Sequence, residues 1–263
     1  MSLKRETYIK SGRISYFTRI YHTKPVDSPH EAVVLVHGLG ISGTYMHYLA
    51  SELANKYVVY VPDLPGFGYS SKPPHVLNIQ ELADALHDWA RAANVEKAWY
   101  LGNSTGCQVI VDFAIHYPDM VKGVILQGPT IDPYHRTMGD QLLRFVTNSS
   151  DEPSSQILIM MKDYRLCGIK RVKKTFEFAL LYETEKFLPR VEAPALVVRG
   201  DMDELVSQEW AEEAANLLPQ GELRIIEGVA HTINMAMPKE LAGVTDEFIE
   251  NHVKIKEYES ATV

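Results

Sequence analysis

Only two cysteines, Cys107 and Cys167, occur in 263 residues. One pair builds neither a disulfide framework nor a four-thiolate zinc site. No His-Glu-x-x-His, paired-cysteine or acidic-loop spacing occurs either, so no metal or other cofactor is expected. Positive charge is also scarce: Lys+Arg number 26 against 34 Asp+Glu, a net charge of −8. Recognition of a nucleic-acid backbone runs on a basic surface, so no nucleic-acid partner is expected. No apolar run approaches the ~18 residues that span a bilayer, so no membrane span is expected. After the basic pair Lys4-Arg5 no apolar stretch follows, and a secretory leader is not expected. The expected location is cytoplasmic. What is present, 46% hydrophobic and 23% charged residues, suits a packed globular core.

Apolar runs rich in Val, Ile, Leu and Tyr recur at 32–36, 57–61, 98–101, 121–126, 195–198 and 223–226. Continuous runs of this length fit strands buried on both faces of a parallel sheet. Helical patterns follow most of them, at 43–55, 79–93, 105–117, 207–218 and 238–252. Strand alternating with helix predicts crossover units and an α/β sheet covered on both faces. The start, 8–21, alternates like an antiparallel hairpin around Ser11-Gly12. Between 128 and 189 the alternation stops. Helical patterns fill 136–146, 156–164 and 172–188, with a polar patch at 148–155. This stretch reads as a helical insertion, a lid over the carboxyl edge of the sheet. The tail, 254–263, is polar and expected to fray.

The strongest local signal is Gly102-Asn103-Ser104-Thr105-Gly106, directly after one predicted strand and opening a predicted helix. This is the G-x-S-x-G elbow in the context it requires. The turn is strained at the serine, so Gly102 and Gly106 must be small enough to let the backbone pass. The helix start behind Ser104 supplies N–H groups where an oxyanion would form. Serine needs a base held by a third group. His231 follows the last predicted strand, in Glu227-Gly228-Val229-Ala230-His231. For the acid, Asp203 in Gly200-Asp201-Met202-Asp203 is the first candidate and Asp132 the alternative; Asp201 is expected to hold the turn. His37-Gly38-Leu39-Gly40 follows the strand at 32–36. Oxyanion donors are expected from the backbone of Leu39 or Gly40 and of Thr105, with His37 supporting the loop.

The order Ser, Asp, His together with these motifs resembles the α/β-hydrolase fold superfamily over nearly the whole chain. Asp63-Leu64-Pro65-Gly66-Phe67-Gly68 is a further carrier, read as a turn without a catalytic role. The resemblance implies an eight-stranded, mostly parallel sheet with helices on both faces and a helical cap after the sixth strand. The expected division is a core of 1–129 and 190–263 and a cap of 130–189. Gly102-Asn103-Ser104 is similar to the elbow of hydrolases that cleave carbon–carbon bonds in ring-fission products. Thr232 departs from that pattern, which has an aromatic residue after the histidine.

The expected activity is therefore hydrolysis of a small-molecule carboxylic ester by a Ser104–His231–Asp203 triad through an acyl-enzyme. A carbon–carbon bond, a lactone or a thioester is the alternative substrate bond. A slow or inactive small-molecule sensor is the alternative class, since fold alone does not fix function. Phe145, Leu158, Phe176, Phe178 and Tyr182 are expected to face an apolar pocket, and Ile157, Met160 and Met161 to join the lid's underside. His135 and Arg136 could line the pocket or a solvated face. Lys162, Arg165, Lys170, Arg171, Lys173 and Lys174 form a basic cluster, read first as a solvated face and second as a recruiter of anionic substrate. Cys107 is expected to be a small core residue rather than a reactive thiol.

Overall fold

The computed structural model describes residues 3–23, 31–148 and 154–261. The alternating start forms a hairpin, β1 (Leu3–Ser11) with β2 (Ile14–His22), paired antiparallel from Leu3↔His22 to Ser11↔Ile14. The apolar runs become β3 (Ala32–Val36), β4 (Val58–Pro62), β5 (Ala98–Asn103), β6 (Val121–Gln127), β7 (Ala195–Gly200) and β8 (Gly221–Ile226). They join into one eight-stranded sheet, ordered β1-β2-β4-β3-β5-β6-β7-β8. β2 meets β4 antiparallel, and all junctions from β4 to β8 are parallel.

Parallel neighbours need crossovers, which the helices provide. In the first half of the chain these are α1 (His47–Leu53), α2 (Ile79–Ala92) and α3 (Thr105–His116). Asn78 and Glu81 close a reciprocal capping box at the start of α2. Between β6 and β7 run α4 (Met138–Asn148), α5 (Ser154–Cys167), α6 (Ile169–Leu181) and α7 (Thr184–Phe187). α8 (Gln208–Leu217), α9 (Ile233–Ala236) and α10 (Pro238–Ala261) complete the chain. The period of two along the strands divides the core. Val34, Val36, Tyr100 and Leu126 pack against α2, α3 and α8, whereas Val33, Leu35, Leu101 and Ile125 pack against α1 and α10.

Several boundaries differ from expectation, two of them with a visible cause. The helical stretch read at 172–188 breaks at Tyr182, whose backbone turns extended (ψ 104°) while its buried hydroxyl donates to Asp112 Oδ1 at 3.2 Å. α10 continues to Ala261 instead of fraying at 254, and Lys254 pairs with Glu250 one turn back at 3.5 Å. The polar patch read at 148–155 lies largely outside the described residues. Among the described residues no helix is long and apolar enough to cross a membrane.

Candidate active site

The carboxyl ends of β3, β5, β6 and β7 bring the predicted site residues to one edge of the sheet. Ser104, between β5 and α3, has φ 57° and ψ −125°, a conformation rare for a residue with a side chain. Its N–H donates to Gln127 O at 3.0 Å, and its carbonyl accepts from Cys107 N–H at 2.9 Å. Neighbouring sterics require the two glycines. A Cβ on Gly102 would stand 2.6 Å from Gly106 C, and one on Gly106 would stand 2.4 Å from Val36 O. Any larger side chain would push the elbow off the sheet. Cys107 is buried behind it, and desolvation drives its thiol pKa well up, as expected of a core residue.

Asp203 and His231 lie on the loops after β7 and β8. His231 Nδ1 is 2.8 Å from Asp203 Oδ2, and both side chains are buried. Asp203 Oδ1 accepts the N–H groups of Leu205 and Val206 at 2.8 and 3.1 Å, which fixes the carboxylate. A neutral ring that donates Nδ1–H to Asp203 has Nε2 as its acceptor nitrogen. The alternative acid, Asp132, sits elsewhere: its oxygens accept from Tyr134 N–H at 2.9 Å and Ser207 N–H at 3.1 Å. Asp201 accepts from Gly228 N–H at 2.7 Å and so ties the loop after β7 to the loop that carries His231.

The loop after β3 is held by a buried imidazole and by carboxylates. His37 Nε2 accepts from Leu64 N–H at 3.0 Å, while Nδ1 faces Gly38 O at 3.0 Å. Burial pulls its pKa down, so the ring serves as a loop support rather than an acid. Asp63 is likewise structural: it pairs with buried Arg19 at 2.6 Å and accepts Gly43 N–H at 2.8 Å. Leu39 and Thr105 both line a cavity of about 340 Å³ together with Ser104 and His231. Thr105 opens α3, where the first N–H groups have no intrahelical acceptor.

A family model described as the alpha/beta hydrolase fold matches residues 31–177. The chain belongs to that family. It is 25% identical over 261 residues to the magnesium-chelatase 30 kDa subunit of Rhodobacter capsulatus, across 88% of this chain and 90% of that protein. It is 23% identical over 248 residues to a pimeloyl-[acyl-carrier protein] methyl ester esterase of Yersinia pseudotuberculosis, across 84% of this chain and 94% of that one. The solved structure of CarC, a serine hydrolase involved in carbazole degradation, superposes with a TM-score of 0.75 at 20% identity. That match covers 94% of this chain and 99% of CarC.

The α/β hydrolase carries site residues that local sequence does not announce. Tyr45, one turn past the β3 loop, accepts Gly38 N–H at 2.9 Å and donates to Asn103 Oδ1 at 2.5 Å. One hydroxyl thus joins the loop after β3 to the Ser104 turn, and desolvation keeps it protonated by raising its pKa well above the ordinary value. Gly128, at φ 58°, lies against His231: a Cβ there would be 2.7 Å from Cε1 and 2.9 Å from Nδ1. Thr130 places Oγ1 3.4 Å from Ser104 Oγ.

The cavity wall corrects part of the reading of the insertion. Phe145, Met160 and Phe176 line it, joined by Ile131, Ile159 and Val172. Leu158 and Met161 are instead 72% and 58% exposed, and Ile157 is also exposed. Phe178 lies under Lys174 Nζ at 4.8 Å, and Tyr182 is engaged with Asp112. Neither lines the cavity, nor do His135, which faces Asp140 at 3.2 Å, and Arg136, which pairs with Glu185 at 2.5 Å. Apolar side chains on α5 face both the cavity and solvent, so its periodicity does not tell inside from outside.

Proposed function

We propose that this α/β hydrolase is a serine esterase acting on small carboxylic esters with an apolar acyl group. The observation that carries the reading is the Asp203–His231 pair, at 2.8 Å, facing the same cavity as a serine held at positive φ. Ser104 Oγ attacks the ester carbonyl while His231 Nε2 takes its proton. N–H groups of Leu39 and Thr105 hold the oxyanion. The C–O bond to the alcohol then breaks, with His231 returning the proton to the leaving oxygen. Water attacks the acyl-enzyme by the same path in reverse, and Asp203 holds the imidazolium throughout.

The volume of about 340 Å³ falls in the ~300–1,000 Å³ range of small-molecule sites. Its wall of Ile, Met, Leu and Phe supports an apolar acyl group, and the methyl ester esterase among the relatives supports an ester bond. A serine nucleophile does not suit haloalkane or epoxide opening, which need a carboxylate. In this reading 1–129 and 190–263 are the core, 130–189 is a cap that supplies the acyl wall, and the enzyme works in the cytoplasm.

The test is turnover of p-nitrophenyl esters of increasing acyl length by wild type and Ser104→Ala. Each methylene that enters the cavity contributes about 0.8 kcal/mol, roughly fourfold in kcat/KM, until the space is filled. Ser104→Ala lowers kcat by about 10⁶. Residual activity within tenfold of wild type removes Ser104 as nucleophile. If folded protein turns over no ester but cleaves a dienoate ring-fission product, the bond is carbon–carbon. If neither reacts and a ligand only raises the melting temperature, the protein is a sensor.

A further inference from the structure

Outside the cavity, α4, α5 and α6 turn large apolar side chains to solvent. Leu143 and Val146 on α4 are 63% and 62% exposed, and Ile169 on α6 is 71% exposed, a level to be set beside Leu158 on α5. A helix advances about 100° per residue, so these side chains fall on coherent faces. On α5, Leu158, Met161 and Arg165 share the face opposite Asp163. That buried carboxylate accepts Ser42 N–H at 2.8 Å and Ser42 Oγ–H at 2.7 Å, which locks the opposite face against the oxyanion loop. On α6, Ile169, Lys170 and Lys173 lie opposite buried Thr175. On α4, Leu143 and Val146 lie opposite buried Gln141 and Asn148.

The same region reverses the charge of the chain. Residues 154–181 hold six Lys and Arg against two carboxylates, a surplus of four positive charges in a chain of net −8. Asp163 is held by Ser42 and Glu177 by Lys174 at 2.9 Å, while Arg171 reaches Pro73 O and Lys162 lies over Tyr69, so Arg165, Lys170 and Lys173 are the cations of the outward face. Met138, Leu142, Ile169 and Lys173 are exposed and also line the cavity, so this face frames its mouth.

We propose that this face docks the hydrolase onto an anionic lipid surface, its apolar side chains entering the headgroup boundary and its cations pairing with the headgroups. Exposed apolar side chains interleaved with Lys and Arg are what an interfacial surface requires. Nine of the fifteen large apolar side chains exposed among the described residues lie on these three helices, whereas single scattered ones are what an ordinary surface carries. A second copy paired about a two-fold axis fits poorly, because it would set the same positive surplus against itself. That the cavity then opens toward lipid rests on the esterase reading; the docking does not.

The test sediments the full chain with phosphatidylcholine vesicles and with vesicles that also contain phosphatidylglycerol, at low and high salt. The expected result is binding to the anionic vesicles, weakened by salt. Arg165→Gln and Lys170→Gln each lower the partition about fivefold, and Leu158→Ser lowers it about tenfold. None of the three lines the cavity, so turnover of a soluble short ester stays at the wild-type level. Failure of wild type to bind anionic vesicles, equal binding to both vesicle types, or indifference to all three substitutions overturns the proposal. So does a dimer that Leu143→Ser dissolves, or capture of an acidic protein without vesicle binding. Lost ester turnover with intact vesicle binding would count against the catalytic reading alone, and the converse against docking alone.

Discussion

Gly128→Ala probes the proposed acid–base pair without substituting either member. The added Cβ would lie 2.7 Å from His231 Cε1 and 2.9 Å from Nδ1. A relaxed carbon–carbon contact needs roughly 3.5 Å, so the ring must retreat by about 0.8 Å. It cannot do so and keep the 2.8 Å bond to Asp203 Oδ2, whose other oxygen is fixed by two backbone N–H groups. Misplacement of a catalytic group by about 1 Å costs on the order of 10²-fold. The φ of 58° adds about 1–2 kcal/mol of backbone strain for alanine. The expected outcome is therefore a fall in kcat/KM of about 10²-fold on a short soluble ester, with a melting temperature lowered by several degrees. Gly139→Ala is the control, because nothing lies within 4 Å of its Cβ position; it leaves kcat/KM unchanged. A folded Gly128→Ala protein with kcat/KM within threefold of wild type would refute the argument.

Asp203→Asn removes the acceptor that sets the His231 tautomer and lowers kcat by about 10⁴. Asp132→Asn, measured beside it, lowers the melting temperature with a much smaller kinetic loss, because its partners are the backbone of Tyr134 and Ser207. Tyr45→Phe strands Gly38 N–H and Asn103 Oδ1, at about 1–3 kcal/mol for each buried group left without a partner. Steady-state kinetics should show a lower kcat at nearly unchanged KM, since the oxyanion loop loses its tie to the elbow. His37 gives a pH signature through its lowered pKa, caused first by burial. A histidine kept neutral in the fold binds fewer protons than in the unfolded chain. Its contribution is complete above the ordinary value of 6.5 and is lost as pH falls below it. Thermal melts between pH 8 and about pH 5 should therefore fall more steeply for wild type than for His37→Gln.

Much of this was legible in the sequence because it is local. Buried parallel strands are continuous apolar runs, so β3 matches its predicted bounds. β5 also has the predicted start, and its end was missed only where Gly102 and Asn103 interrupt the apolar run. The elbow needs two glycines at fixed offsets around Ser104, and that spacing survives in one dimension. Gly128, Tyr45 and Asp163 were not legible, since each acts on a partner far along the chain: His231, Asn103 and Ser42. The outward turn of Leu158 and Met161 was missed for a different reason. An apolar side chain reads the same whether it faces a cavity or solvent.

Labelling with a fluorophosphonate, read by intact-protein mass and peptide mapping, tests the central claim most directly. A triad-activated Ser104 predicts one adduct per chain, on the peptide that contains Ser104, and none in Ser104→Ala. An adduct on another residue, or no adduct in folded protein that still hydrolyses esters, would contradict it.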